Sequence, residues 1–189
     1  MSLYISTIDQ NIIKQLLDQV QHIQYLFLRG TFSNFNLDSF ANLKLLSLVG
    51  TINEDFNFEL FKDLCNQIVY LKIQLTNIDE KNYLKLFSRY SFSNLLSFVA
   101  IGCKLKRLKK RYISRFPALT NLFIIDCNLK VIEHKAFSNV KSLRFLDLSQ
   151  NRIKFIEKKT FSILKNLKIL DLSSNELTDL DSKFIGVRN

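Results

Sequence analysis

The stretch LRFLDLSQNRIKFIEKKTF, residues 143–161, decides the fold of this 189-residue chain. Its residues follow the order L-x-x-L-x-L-x-x-N-x-I, and the same order returns 24 positions later as LKILDLSSNELTDL, residues 167–180. Repetition at a period of this size predicts a solenoid. In a solenoid no single repeat can bury its apolar face alone, so stability comes from stacking neighbouring turns around one core.

The repeat frame continues toward the N-terminus with looser spacing. The steps back from Leu143 are 24, 24, 27, 25 and 20 residues long. Insertions in such arrays fall in the outer loops rather than in the strands, so this drift in length does not break the array. We therefore predict about seven repeats in one continuous solenoid over residues 23–189. The earlier units begin at Leu119, Leu95, Ile68, Leu43 and Ile23.

Each L-x-x-L-x-L segment predicts a short strand whose alternate residues point into the core while the intervening ones face solvent. The ninth position follows the strand, where the chain turns. Asn151 and Asn175 hold this position in two units, where an asparagine side chain can bond backbone groups that would otherwise be buried unpaired. Cysteine and threonine do only part of this work, so the N-terminal half is expected to be less regular. They stand at the ninth position of five units: Cys103, Cys127, Thr31, Thr51 and Thr76.

This pattern resembles the leucine-rich-repeat family, and residues 143–161 and 167–180 resemble the 24-residue class found in Toll-like receptor and Slit-type ectodomains. The resemblance implies an α/β architecture: a right-handed curved solenoid with a parallel sheet on its concave face and short helical or irregular convex segments. It also implies a non-enzymatic, protein-binding role, usually extracellular. The Cys-rich caps that flank many extracellular members are missing from this sequence.

The two ends of the chain depart from the frame. Residues 1–22 are predicted to form an N-terminal helix or a truncated repeat. Thr7 with Gln10 resembles a capping box ahead of an apolar stripe at helical spacing, whereas Leu3 and Ile5 fit the end of a strand in an incomplete unit. The last unit ends without the polar cap that solenoids need for solubility. We therefore expect a fragment of a longer protein.

The outward positions of the strands form the concave face, which is the default recognition surface of such a fold. This face is more apolar than a solvated strand face should be, and a contiguous apolar patch anchored by Tyr and Phe is typical of a contact surface. The alternatives are a compositional bias toward Phe and Ile, or cover by a missing segment. The predicted partner-binding residues are Tyr25, Phe27, Tyr70, Lys72, Val99, Phe123 and Phe145.

The formal net charge of +10 would attract a polyanion to the surface. Basic residues concentrate in KLKRLKKRYISR, residues 104–115, after the strand of the fourth unit. One hypothesis is a docking patch for an anionic glycan or lipid. The other is a solvated outer loop, because Lys/Arg runs are weak signals. No nucleic-acid ligand is expected. The residues of the hypothetical patch are Lys106, Arg107, Lys109, Lys110 and Arg111.

The three cysteines predict buried thiols rather than a metal site. Cys103 and Cys127 occupy equivalent positions of adjacent units, so their backbones should lie about 5 Å apart. That separation permits a disulfide, but parallel side-chain directions disfavour one, and two buried thiols are expected. Cys65 is expected in the core. Without CxxC spacing or a nearby histidine, neither a zinc site nor another cofactor is predicted.

The sequence offers no enzyme signature. His22 and His134 lie far apart, and there is no nucleophile motif, Gly-rich phosphate loop or carboxylate pair with mechanistic spacing, so an enzyme is not expected. No apolar run reaches the roughly 20 residues of a membrane helix. The resemblance favours an extracellular or cell-surface setting. The alternative is a cytoplasmic scaffold or adaptor, which the missing signal peptide, caps and N-x-[ST] sequons favour.

Overall fold

The computed structural model describes residues 1–6, 22–32, 37, 40–54, 56–76, 78, 82 and 89–178. These residues form a β-solenoid with little helix. Eight of its strands form one parallel sheet, and two short strands pair in a second, smaller one. In chain order the strands are β1 (Ser2–Ile5), β2 (Tyr25–Phe32), β3 (Leu45–Ile52), β4 (Tyr70–Leu75), β5 (Ser97–Ile101), β6 (Arg107–Leu108), β7 (Asn121–Ile125), β8 (Val131–Ile132), β9 (Phe145–Asp147) and β10 (Ile169–Asp171).

The large sheet follows the order β1-β2-β3-β4-β5-β7-β9-β10, while β6 pairs with β8. Each strand pairs with the next at residues that are equivalent in the repeat frame. Leu122, Leu146 and Leu170 lie side by side on β7, β9 and β10, as the frame predicts. The looser spacing of the earlier units does not disturb this register, since Leu26 pairs with Leu46 across β2 and β3. The predicted solenoid with a parallel sheet is confirmed.

The inward-facing residues of all turns merge into one core. Strand residues such as Leu46 and Leu146 are at most 1% exposed. Aromatic rings fill the opposite side of the core: Phe92 lies 6.3 Å from Phe61 and 5.5 Å from Phe116, measured between ring centroids. Burying one such ring stabilises the fold by about 2–3 kcal/mol, and each of these rings is buried against a neighbouring turn.

Among the described residues, the helical segments outside the sheet are short. A 3-10 turn, Phe58–Leu60, begins where the side chain of Asn57 accepts a hydrogen bond from the Glu59 backbone N–H at 2.9 Å. Two four-residue helices, Phe61–Leu64 and Lys110–Ile113, are also present. The helix predicted over residues 6–20 lies, except for its first residue, outside the described residues. The strand expected at Leu3 and Ile5 is present as β1.

The strands of the first turns are longer than the frame predicts. Both β2 and β3 run for eight residues, through the ninth position, and Gly30 pairs with Gly50 between them. Both glycines have positive φ, 149° and 144°, and a Cβ on Gly50 would lie 1.8 Å from the Gly30 carbonyl oxygen. The two backbones can therefore approach this closely only without side chains. The repeat frame alone does not reveal this pair.

The strands of the last turns are shorter, and the chain leaves them through left-handed residues. Both β9 and β10 have three residues. Gln150 and Ser174 follow with φ of 56° and 54°, and each directly precedes the asparagine at the ninth position. Such residues turn the chain out of the strand direction, so the polar groups after the strand need partners other than a ladder.

Asn151 supplies those partners between two turns. Its Oδ1 accepts hydrogen bonds from the backbone N–H groups of Cys127 and Leu129, both at 3.0 Å. Its Nδ2 donates to the carbonyl oxygens of Ile124 at 2.6 Å and Leu148 at 3.0 Å. Asn151 itself is 5% exposed. The role predicted for asparagine at the ninth position is confirmed, because one buried side chain bonds the backbone of two adjacent turns.

The same position is held differently elsewhere in the array. Asn175 repeats the pattern one turn later, accepting from the Ile153 N–H at 3.0 Å and donating to the Leu172 carbonyl at 2.9 Å. In the first turns, the hydroxyl of Thr51 donates only to the hydroxyl of Thr31, at 3.0 Å. Threonine therefore does part of the work of asparagine, as expected.

Cys103 and Cys127 form a disulfide, so the expectation of two buried thiols was wrong. Their Cα atoms lie 4.3 Å apart. Parallel side-chain directions hold within a strand, but both cysteines lie beyond their strands, after Gly102 at φ 68° and Asp126 at φ 52°. Their side chains are therefore free of the strand pleat and turn toward each other. Cys65 is a buried free cysteine, as predicted.

Candidate functional site

The register of the large sheet brings the predicted partner-binding residues onto one face. Each row across the strands contains equivalent residues of successive turns. The outward rows carry few formal charges for a strand face. One row is Tyr25, Leu45, Tyr70, Ser97, Asn121, Phe145 and Ile169, and the next is Tyr4, Phe27, Ser47, Lys72, Val99, Phe123, Asp147 and Asp171.

Six of the seven predicted residues are accessible on this face, and one is not. Tyr25 is 40% exposed, whereas Val99 is only 8% exposed. Val99 pairs in register with Lys72 on one side and Phe123 on the other, and these longer side chains leave it little surface. The half-buried residues of the set are Phe27, Tyr70, Lys72, Phe123 and Phe145.

The N-terminal end of the face carries an aromatic pair. The rings of Tyr4 and Phe27 are stacked, with centroids 4.3 Å apart and planes 4° from parallel. Tyr4 is 72% exposed. Tyr4 was not among the predicted residues because the repeat frame begins at Ile23. The alternation of Leu3 and Ile5 was the available signal, since it places the residue between them outward.

The charges on the face change along the array. Its N-terminal half presents the cationic side chains of Arg29 and Lys72, while Asp147 and Asp171 lie on its last strands. Each carboxylate accepts a hydrogen bond at 2.8 Å from a backbone N–H two residues on. Hydrogen bonding from Ser173 holds the pKa of Asp171 below its ordinary value, so this carboxylate is ionised at neutral pH. The face therefore carries aromatic residues along its length, with cationic side chains toward one end and acidic ones at the other.

The structure divides the basic stretch of residues 104–115 into two groups. Lys106 and Arg107 lie at the edge strand β6, where Arg107 pairs with Val131 of β8. The other three predicted residues surround the short helix Lys110–Ile113: Lys109, Lys110 and Arg111 line an open depression there. Both groups lie outside the concave face.

The second basic group packs around one buried ring. The Lys109 Nζ lies 5.8 Å and the Arg111 Cζ 5.5 Å from the centroid of Tyr112, which is 2% exposed. These distances fall in the range of cation–π attraction. Lys109 and Arg111 therefore have a structural role beside whatever they contact in solution.

The described residues offer little chemistry beyond binding surfaces. No group of three His, Cys, Asp or Glu side chains there is arranged to hold a metal ion. None of the helices in that part of the chain is long and apolar enough to cross a bilayer. In the part of the chain that the structure describes, His134 Nδ1 lies 3.4 Å from a Glu157 carboxylate oxygen on the exposed surface. Burial raises the pKa of the Cys65 thiol, which makes it a poor nucleophile at neutral pH.

The family model described as "Leucine rich repeat" matches residues 117–177 and 146–188. No curated protein sequence matches the chain significantly. Among solved structures, TLR13 in its complex with ssRNA13 is similar, with a TM-score of 0.70 and 24% identity over 94% of this chain. A leucine-rich-repeat protein of Leptospira interrogans has a TM-score of 0.65 and is 22% identical over 94% of this chain. Toll, in the Drosophila Toll–Spatzle complex, has a TM-score of 0.58 and is 18% identical over 86% of this chain.

The chain spans only part of each of these proteins: 25% of TLR13, 44% of the Leptospira protein and 21% of Toll. At these identities the similarity shows the fold. Because the TLR13 structure contains single-stranded RNA, the comparison gives no support to the expectation that nucleic acid is excluded. The C-terminal repeats, residues 117–188, thus match the leucine-rich-repeat family model, and the solenoid, with its repeats in register and its asparagines bonding successive turns, has a fold similar to that of TLR13.

Proposed function

We propose that this chain is a non-enzymatic recognition module that binds a protein ligand through its concave face, as part of an extracellular or cell-surface protein. The observation that carries the proposal is the set of accessible aromatic residues on that face. Apolar surface on a strand face that no other part of the described chain covers is unfavourable in water unless a partner buries it.

The geometry of the face suits a rigid binding surface. Tyr25 and Phe145 lie five strands apart in one row, which corresponds to about 24 Å. The strands between them are hydrogen-bonded on both sides, so little conformational entropy is lost when a ligand binds. Tyr25, Phe27 and Tyr70 would anchor one end of the ligand, and Phe123 and Phe145 the other.

The Cys103–Cys127 disulfide supports the extracellular part of the proposal. Disulfides persist in oxidising compartments and are rare where glutathione keeps thiols reduced. Toll, one of the proteins with a similar fold, is in a complex with Spatzle in its structure. The alternative, an intracellular scaffold or adaptor, would keep Cys103 and Cys127 as thiols in its working state.

The test is a selection of ligands from a displayed library of extracellular domains, followed by affinity measurements on the best binder. Tyr70→Ser combined with Phe123→Ser should weaken binding about 30-fold, because each replacement removes an aromatic anchor. Leu96→Ser combined with Ile163→Ser removes two exposed apolar side chains outside the concave rows, and should leave the affinity unchanged. Circular dichroism would establish that both double variants are folded.

Equal affinities for the wild type and the Tyr70/Phe123 variant would contradict the proposed site. Failure of the library to yield any saturable protein ligand would contradict the proposed function. Recovery of the chain with free Cys103 and Cys127 thiols from its native source would favour the intracellular alternative.

A further inference from the structure

Outside the concave face, a row of equivalent lysine residues runs across three turns. Lys106, Lys130 and Lys154 occupy the same position of consecutive repeats, and all three are exposed. The turns stack closely beside this row: the Lys130 N–H donates to the Lys106 carbonyl at 3.0 Å, and the Arg152 N–H donates to the Leu129 carbonyl at 2.8 Å. Successive lysines thus project from backbones about 5 Å apart. We call these three residues the lysine strip.

The residues that follow the lysines form a second, parallel row. They are Arg107, Val131 and Phe155, and Arg107 pairs with Val131 between β6 and β8. Phe155 is 66% exposed, although its ring is large and apolar. Together with Arg152, Phe155 lines a groove of about 510 Å³ beside the lysine strip.

The carboxylates in this groove leave part of the positive charge uncompensated. Glu176 lies 3.6 Å from the Lys154 Nζ, and Glu157 lies 3.4 Å from His134. Among the described residues, no carboxylate lies within ion-pairing distance of Lys106 or Lys130. Like charges held at such short intervals repel one another, and an anion that spans them would relieve the repulsion.

We propose that the lysine strip and its groove bind a linear sulfated glycan. Sulfate groups spaced along such a chain would meet one ammonium group on each turn, and a sugar ring would pack on the exposed face of Phe155. The site is separate from the concave face and shares only the extracellular setting with the proposed function.

One observation favours a glycan over a single-stranded nucleic acid. Nucleic-acid grooves combine positive charge with a series of aromatic side chains on which successive bases stack. Here the three equivalent positions hold Arg107, Val131 and Phe155, so only one base could find an aromatic ring. A polymer that needs a cation on every turn, but a ring on only one, fits this surface better.

The test uses a fluorescently labelled heparin oligosaccharide and fluorescence anisotropy with the full chain. Lys106→Gln, Lys130→Gln and Lys154→Gln combined should weaken binding on the order of 100-fold at low salt and flatten its salt dependence. The matched control is Lys141→Gln, Lys165→Gln and Lys168→Gln, which removes the same charge from exposed positions outside the strip. We expect the control to lose less than about 5-fold.

Two further variants separate charge from shape and from folding. Phe155→Ala keeps every charge and should weaken binding about 3-fold to 10-fold by removing the apolar contact. Replacing the three strip lysines with arginine keeps the charge, so that variant should bind as tightly as the wild type. Tyr70→Ser with Phe123→Ser should also bind the oligosaccharide normally, which distinguishes failure of this proposal from failure of the concave site.

Equal losses in the two glutamine variants would overturn the proposal, because binding would then depend only on net charge. A single-stranded oligonucleotide of equal charge that binds more tightly than heparin, and depends on Phe155, would overturn the glycan assignment. If the arginine variant lost binding to heparin while its thermal melt stayed normal, the glycan assignment would also be overturned.

Discussion

The first and last turns of this solenoid differ in how the backbone groups around the ninth position of the repeat are hydrogen-bonded. In β2 and β3 the strands continue through the ninth position, so the backbone groups there are bonded by the sheet itself, and Gly30 and Gly50 allow the close approach. In β9 and β10 the strands end after three residues, and the side chains of Asn151 and Asn175 add bonds between the turns. The apolar frame is the same at both ends.

The comparison shows that the apolar residues and the ninth residue have separate roles. Leucines at the frame positions stack the turns wherever they occur, since Leu26 and Leu146 are equally buried. The ninth residue decides how the chain leaves the strand. Between the two regions, Cys103 and Cys127 hold this position and link adjacent turns covalently, where asparagine would link them by hydrogen bonds.

The largest effect should come from Gly50→Ala in the first region. Its methyl group would overlap the Gly30 carbonyl oxygen, so β2 and β3 would have to separate. The free energy of unfolding should therefore fall by about 4 kcal/mol, which is the upper end for single substitutions. Gly102→Ala is the control: its φ of 68° is also unfavourable for alanine, but no atom lies within 4 Å of the added carbon. We expect it to cost about 1 kcal/mol.

Urea unfolding followed by circular dichroism would measure both glycine variants. Hydrogen exchange should also show faster exchange of β2 and β3 amides in Gly50→Ala than in the wild type. If the two alanine variants lost equal stability, the close approach of the strands would not be what requires glycine at position 50.

Asn151→Ala should have the next largest effect and lower the free energy of unfolding by about 3 kcal/mol. The change leaves several buried backbone donors and acceptors without partners. The matched change in the first region is Thr51→Val, which removes a single hydroxyl–hydroxyl bond and should cost about 0.5–1 kcal/mol. The comparison of regions predicts this difference directly. Similar unfolding free energies for the two variants would show that the strands and the asparagines share the work evenly.

Reduction of the disulfide should lower the free energy of unfolding by about 3 kcal/mol, because Cys103 and Cys127 close a loop with a sequence separation of 24 residues. The oxidised protein should release one thiol, Cys65, on unfolding, and three after reduction. In the native state Cys65 should react slowly with an alkylating reagent, since it is buried and its thiol pKa is raised. Cys65→Ala should abolish the thiol of the oxidised protein and keep the disulfide.

The measurements for this prediction are thiol titration in denaturant and melting temperature with and without reductant. Three titratable thiols in protein secreted through an oxidising pathway would contradict the disulfide. An unchanged melting temperature after reduction would show that contacts other than the covalent bond hold these two turns together.

Much of the fold and part of the candidate site could be predicted before any coordinates. The frame placed Leu122, Leu146 and Leu170 on neighbouring strands, and it assigned Tyr25 and Phe123 to the outward face, because alternation along a strand decides which side a residue faces. It could not show that Val99 would be covered. That depends on the size of the side chains on the two adjacent strands rather than on its own position.

The order of residues along this chain was sufficient to establish the repeat, the core and the direction of each strand residue, because hydrophobic burial depends on periodic spacing that can be read in one dimension. The contacts between turns were decided only in three dimensions. The Cys103–Cys127 bond depends on backbone angles after the strands, and the lysine strip joins residues from three separate turns. Side chains outside a strand have no fixed alternation, so their directions follow from the folded backbone alone.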